Sequence, residues 1–122
     1  MSKPKVVCLC GSEKFVGHFS VANHKESMAG NIVVAPSFQE SKVGDRVVYT
    51  PEERAKLDEL HQGRMDMADE ILVLNIEGYI GDSTKKEVAY ARKAGKAIRW
   101  KEPHIRVDCL WSGDLIDGQP KK

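Results

Sequence analysis

Two stretches of this 122-residue chain bring together side chains that can do chemistry. Gly78-Tyr79-Ile80-Gly81-Asp82-Ser83-Thr84-Lys85-Lys86-Glu87 puts glycines, a carboxylate and two hydroxyls into a turn, and then a second carboxylate on the first turn of a helix. The N–H groups and dipole at a helix start favour an ionised carboxylate, which suits a nucleophile or a stabiliser of developing positive charge. Glu87 is the candidate for that role, with Asp82 and Ser83 in the turn before it. The plainer explanation is a capping box, since Thr84-x-x-Glu87 has that spelling. Against capping, Glu87 shares a helical face with Ala91 and Ala94, the small residues expected to lie against a sheet. The second stretch is Gly11-Ser12-Glu13-Lys14. Gly11 lets the backbone approach an anion, Ser12 precedes a helix whose free N–H groups bind phosphate, and Lys14 adds positive charge. The same residues are ordinary in any strand-to-helix turn. There is no Gly-x-Gly-x-x-Gly and no Gly-Lys-Ser/Thr, so a dinucleotide or triphosphate site is not supported.

Other titratable residues carry weaker signals. His61 lies mid-helix beside Leu57 and Leu60, where packing is the commoner role for a histidine. Asp69 stands at the start of a strand. Arg64 and Asp66 read as solvated helix positions. Cys8 and Cys10 alternate along a strand and share one face, which is half a metal site. With no matching Cys or His pair downstream, they read as small buried apolar side chains. His18, His24 and His104 show no ligand spacing. No metal and no cofactor are expected.

The elements that must position these residues follow from periodicity. Lys5–Cys10 is a near-continuous apolar run, as in a strand buried on both faces. A helix is expected from about Glu13 to Ala29, with Phe15, Phe19, Ala22 and Ala29 inward and Gly30 ending it in a left-handed conformation. Asn31–Pro36 is a second strand. Residues 37–49 form a long connection of the kind that often serves as a lid. Thr50-Pro51-Glu52-Glu53 is a capping box with proline at the first helical position, opening a helix to about Ala68 that buries Leu57, Leu60 and Met67 or their neighbours. Ile71–Asn75 is a third strand, Thr84–Ala94 a helix, Ala97–Trp100 a fourth strand, and Asp108–Trp111 a possible fifth at one edge.

This order predicts a single α/β domain over 1–122, with its core at about 5–101 and a C-terminal extension over 102–122. The sheet is parallel, doubly wound and flavodoxin-like, with strand order 2-1-3-4(-5) and helices on both faces. Ligands of such sheets bind past the carboxyl ends of the strands, where the winding reverses between strands 1 and 3. That rule selects Gly11–Lys14 and the loop from Asn75 to Thr84, including Gly78, Tyr79 and Gly81.

Composition narrows the partners. Lys and Arg number 19 against 18 Asp and Glu, so no basic surface for duplex nucleic acid is expected. No apolar run approaches the roughly 20 residues that span a bilayer, and the N-terminus lacks a signal-peptide plan. Three cysteines suit a reducing compartment, and the chain reads as cytoplasmic.

Cys10-Gly11-Ser12, Ala68-Asp69-Glu70-Ile71-Leu72-Val73-Leu74 and Asp82-Ser83-Thr84-x-x-Glu87-x-x-Tyr90-Ala91-x-x-x-Gly95-Lys96 together resemble the nucleoside 2-deoxyribosyltransferase superfamily. Within it the Cys-Gly-Ser opening is similar to that of the small 2'-deoxynucleoside 5'-phosphate N-hydrolases. The resemblance covers roughly Val6 to Trp100. It implies cleavage of an N-glycosidic bond in a nucleoside or its 5'-monophosphate, with Glu87 attacking C1' and water or a second base resolving the glycosyl-enzyme. It implies that Ser83 contacts phosphate or sugar, that Gly11 and Ser12 hold the 5'-phosphate, and that the protein is a homodimer or higher homo-oligomer whose partner chain completes the site, a part the C-terminal segment with Trp111 could play. The hydrolases carry a second catalytic acid where this chain has His61, which can hydrogen-bond the sugar or protonate a leaving base. The Asp82 loop is one residue shorter than in the transferases. The same cleft would also serve a non-catalytic nucleotide-binding or sensing module.

Overall fold

The computed structural model describes residues 3–37 and 49–102. The possible fifth strand, His104, Trp111, most of the long connection and the C-terminal extension beyond Glu102 lie outside the described residues.

Four parallel strands, β1 (Val6–Cys10), β2 (Ile32–Val34), β3 (Glu70–Val73) and β4 (Ala97–Trp100), form one sheet in the order β2-β1-β3-β4. This is the expected order, with the winding reversing between β1 and β3. Val7 to Cys10 have no solvent exposure, because β1 is central and covered on both faces. Alternation divides its side chains. Val7 and Leu9 join Phe19, Ala22, Leu72 and Leu74 under helix α1 (Val16–Met28). Cys8 and Cys10 join Met65, Ile71, Val73, Val88 and Ala91 under α2 (Pro51–Met67) and α3 (Asp82–Lys93). Helices therefore cover both faces. Among the described residues no helix is long and apolar enough to cross a membrane.

Local chemistry explains most boundaries. Ser12 accepts a hydrogen bond from the Lys14 N–H at 3.2 Å and caps a single 3-10 turn, Glu13–Phe15, so α1 proper starts later than expected. Gly30, at φ 95°, follows the last turn of α1 in the left-handed region that a side chain disfavours. Thr50 and Glu53 form the expected capping box, with Thr50 Oγ1 accepting from the Glu53 N–H at 3.0 Å and Glu53 Oε1 from the Thr50 N–H at 2.9 Å.

Three inward faces differ from expectation. On α1, Glu26 is buried and Ala29 is exposed, because Glu26 meets Arg99 of β4 beneath it. On α2, His61 and Met65 are buried, whereas Leu60 and Met67 are 51% and 66% exposed. The helix turns the face carrying Leu57, His61, Arg64 and Met65 toward the sheet, positions three and four apart that belong to one stripe. On α3, Ala91 is buried but Ala94 is the exposed cap residue.

Gly11 has a packing role the sequence did not suggest. A Cβ there would meet Leu74 Cβ at 3.2 Å, Leu74 O at 3.3 Å and Phe19 Cζ at 3.3 Å. The turn after β1 thus lies directly on the end of β3. Gly11→Ala is expected to destabilise the protein by about 1 to 3 kcal/mol through this overpacking. Urea unfolding checks it, and an unchanged midpoint would mean the turn can give.

Candidate active site

Past the carboxyl ends of β1 and β2, α3 and the inward stripe of α2 enclose a cleft of about 300 Å³. Gly11, Ser12 and Glu13 line it from the turn after β1, and Pro36 and Ser37 from the end of β2. Gly81 to Thr84 and Glu87 line it from α3. The fourth side is α2, with Arg54, Leu57, Asp58 and Arg64, and Tyr49 just before that helix. The volume is at the low end for a small-molecule site and fits a ligand of nucleoside size.

The start of α3 decides what Glu87 is free to do. Gly81 is the N-cap and makes no side-chain capping bond; Asp82 is the first helical residue. The helix therefore begins two residues earlier than Thr84, which becomes its buried third position with 1% exposure. Glu87 falls in the second turn, too far along to cap the helix. The capping-box explanation is thereby removed. The side chain instead reaches the inner wall of the cleft, 21% exposed. Its Oε1 is shielded from solvent with no hydrogen-bond partner, 3.7 Å from His61 Nε2.

His61 sits behind Glu87 and not on the cleft surface. It is 4% exposed, with Nε2 3.3 Å from Cys10 Sγ and 4.0 Å from Cys8 Sγ. β1 supplies both thiols to one face and α2 supplies the imidazole above them, so four titratable groups meet in the core. Burial pushes Glu87 up to about 7, and the charge of His61 opposes it. Burial would lower His61, but the hydrogen bond to Cys8 and the charge of Glu87 outweigh it and move His61 upward. The Cys8 thiol is lowered to about 6, first by the hydrogen bond with Cys10 and, against the cost of burial, by His61. That same bond, burial and the nearby Glu87 charge raise Cys10 well above its ordinary value.

Of the residues singled out from sequence, Gly11, Ser12, Gly81, Asp82, Ser83 and Glu87 are brought to one cleft. Lys14 and Tyr79 stand beside it: Lys14 Nζ lies 4.1 Å from the Tyr79 ring centroid, and Tyr79 meets Phe15 edge-on at 5.8 Å. Three are placed elsewhere. Asp69 lies at the amino end of β3, the opposite end of the sheet from the cleft, where its carboxylate accepts from the Val6 N–H at 2.9 Å. Asn75 is buried and spent on the backbone of Glu102, donating at 3.2 Å and accepting at 2.9 Å. Gly78 supplies a left-handed turn at φ 83° and does not line the cleft.

Sequence reading missed the α2 wall and the two cysteines. Arg54, Leu57, Asp58 and Arg64, which line the cleft from α2, recur on one stripe with His61, a signal that was legible but largely polar, and so resembled a solvated face. Cys8 and Cys10 were seen as a pair; their partner His61 comes from a helix 51 residues further on. No protein-family model matches the chain, and no curated protein does either.

Proposed function

We propose that this protein cleaves, or transfers across, the N-glycosidic bond of a nucleoside or nucleoside 5'-monophosphate, with Glu87 as the nucleophile. The observation that carries the reading is the place of Glu87: at the inner wall of a nucleoside-sized cleft, released from capping, and backed by a buried imidazole. The carboxylate adds to C1' of the sugar as the C1'–N bond breaks, and the base leaves with the bonding electron pair and takes up a proton. Asp58 and Asp82 line the same cleft and supply carboxyl groups that can pass that proton. Water then attacks C1' and gives a proton back to the carboxylate that supplied the leaving base, the ester to Glu87 breaks, and the Glu87 carboxylate is restored; a second base in place of water, losing its N–H proton in the same way, gives transfer. His61 acts from behind, holding Glu87 in place. The glycine turn, the start of α3 and the guanidinium groups of Arg54 and Arg64 form the wall suited to a phosphate. Family members of the resembling superfamily act as dimers, and a homo-oligomer remains part of this proposal.

A panel of nucleosides and their 5'-monophosphates, with free base followed by chromatography, tests the reading. Base release from at least one member is the expected result. Release from none, with a nucleotide still raising the melting temperature, would show a cleft that binds without cleaving. Equal rates on nucleosides and monophosphates would remove the phosphate from the recognition scheme.

A further inference from the structure

We propose that Cys8, Cys10 and His61, completed by Glu87, form a binding site for a zinc ion in the core behind the inner wall of the cleft. Among the described residues these two thiols and the imidazole have their ligand atoms within 4.8 Å of one another, all three residues fully or almost fully buried. A tetrahedral zinc site with Zn–S of about 2.3 Å and Zn–N of about 2.0 to 2.1 Å requires edges of about 3.8 Å between sulfurs and about 3.6 Å between sulfur and nitrogen. The two sulfur–nitrogen edges here are 3.3 and 4.0 Å, which bracket that value. The edge from His61 Nε2 to Glu87 Oε1 is 3.7 Å, against about 3.4 Å for nitrogen and oxygen ligands on zinc. Cys8, Cys10 and His61 already stand within 4.8 Å of one another, and Glu87, which meets the group at His61, would turn toward the sulfurs to take the fourth position.

The donor set selects the ion. Two thiolates favour a soft or borderline cation, while an imidazole and a carboxylate completing four positions suit zinc better than magnesium or calcium, which take oxygen ligands. Glu87 Oε1 is a buried acceptor without a hydrogen-bond partner, and coordination would satisfy it. Entry is through the cleft, past the Glu87 carboxylate on its inner wall. The site does not depend on the glycosidic reading. Under that reading a bound zinc would tie up the attacking oxygen, so the turnover assays are run with a chelator present.

The test uses the full chain, reduced and metal-free, titrated with cobalt(II) as a spectroscopic stand-in and then with zinc. One cobalt per chain is expected, with thiolate-to-metal charge transfer in the near ultraviolet and the intense visible bands of a tetrahedral ion, all displaced by zinc. Replacing the third cysteine of the sequence, Cys109→Ser, which lies outside the described residues, should keep the signature. Cys10→Ser should lose most of the charge transfer and weaken zinc binding by about 100-fold or more, and Glu87→Gln by about tenfold. Should a cysteine variant fail to fold, X-ray absorption of the zinc-loaded unmodified protein decides, with two sulfur ligands at about 2.3 Å expected. Absence of charge transfer in the unmodified protein, a zinc shell of nitrogen and oxygen alone, or binding that survives Cys10→Ser but not Cys109→Ser would each overturn the proposal.

Discussion

Glu87→Gln is expected to lower base release by about 10³-fold or more while leaving nucleotide affinity nearly unchanged. The amide keeps the shape and the wall of the cleft but has no charge to donate to C1', so the loss should appear in kcat and not in KM. Folding provides an internal control. Burial already disfavours the ionised form of Glu87, and its pKa stands at about 7, so a neutral amide should hold or raise the melting temperature at neutral pH. A large drop in kcat with an undiminished melting temperature is therefore the decisive combination. Turnover that persists in this variant would assign Glu87 to structure and send the search to Asp58 and Asp82.

The second large effect lies on the other face of the sheet. Arg99 of β4 donates to both oxygens of Glu26 on α1, at 2.8 and 3.0 Å, and through Nε to Glu70 at the start of β3. Lys5 holds the other Glu70 oxygen at 3.2 Å, and Asn31 adds a bond to Glu26 at 2.9 Å. The carboxylates are 9% and 12% exposed, so removing the guanidinium leaves both short of a partner with little water to replace it. Such a loss costs 3 to 5 kcal/mol for a fully buried pair; with Arg99 itself 43% exposed, Arg99→Met is expected to cost about 2 kcal/mol, or about 8 °C in melting temperature.

The pH dependence has a definite sign. The Arg99 hydrogen bonds hold Glu26 below its ordinary value of 4.5. Its contribution is full above that value and disappears as pH falls through the lower, folded-state value. The gap between unmodified protein and Arg99→Met should accordingly be widest near neutrality and shrink in acid, as Glu26 becomes neutral in both. Arg99→Lys should recover only part of it, since an ammonium cannot make the two-pronged contact with Glu26. A gap that is constant with pH would mean that Arg99 acts only by packing.

The contrast between fold and site follows from what each depends on. Strand order was legible because four apolar runs, separated by turn signals and a capped helix, permit few arrangements, and Val7 to Cys10 are as buried as their composition implied. Glu87 was found because the switch-point rule and the turn before it agree on one place. Asp69 was a candidate through the Ala68-Asp69 motif of the resemblance and against the same rule, which admits only the carboxyl ends of strands; it lies at the amino end of β3, bonded to Val6. His61 carried two readings, a packing residue beside Leu57 and Leu60 and, by the resemblance, a group in the place of the second catalytic acid; it is buried as packing would require, but its neighbours are thiols and a carboxylate. Pairings of that kind depend on the rotation of α2 about its axis. Two apolar residues of that helix misreport the rotation, since Leu60 and Met67 face outward while Met65 is buried.

The register of β1 has a kinetic consequence. Its first neighbour, β2, arrives after one short helix, pairing Val6 with Ile32, but its second neighbour must come from much further along the chain. The bond from Val6 to Asp69 closes a separation of 63 residues, and by its larger loop-closure entropy that contact is expected to form after the local one. Until it forms, α2 has no finished surface to cover, and Cys8 and Cys10 remain open to any oxidant or alkylating agent in solution. In the folded chain both have no exposure at all. The same two thiols are thus open to a bulky thiol reagent while the protein is being made and shielded from it afterwards, and such a reagent added during refolding, but not after it, should trap the chain before its sheet is complete.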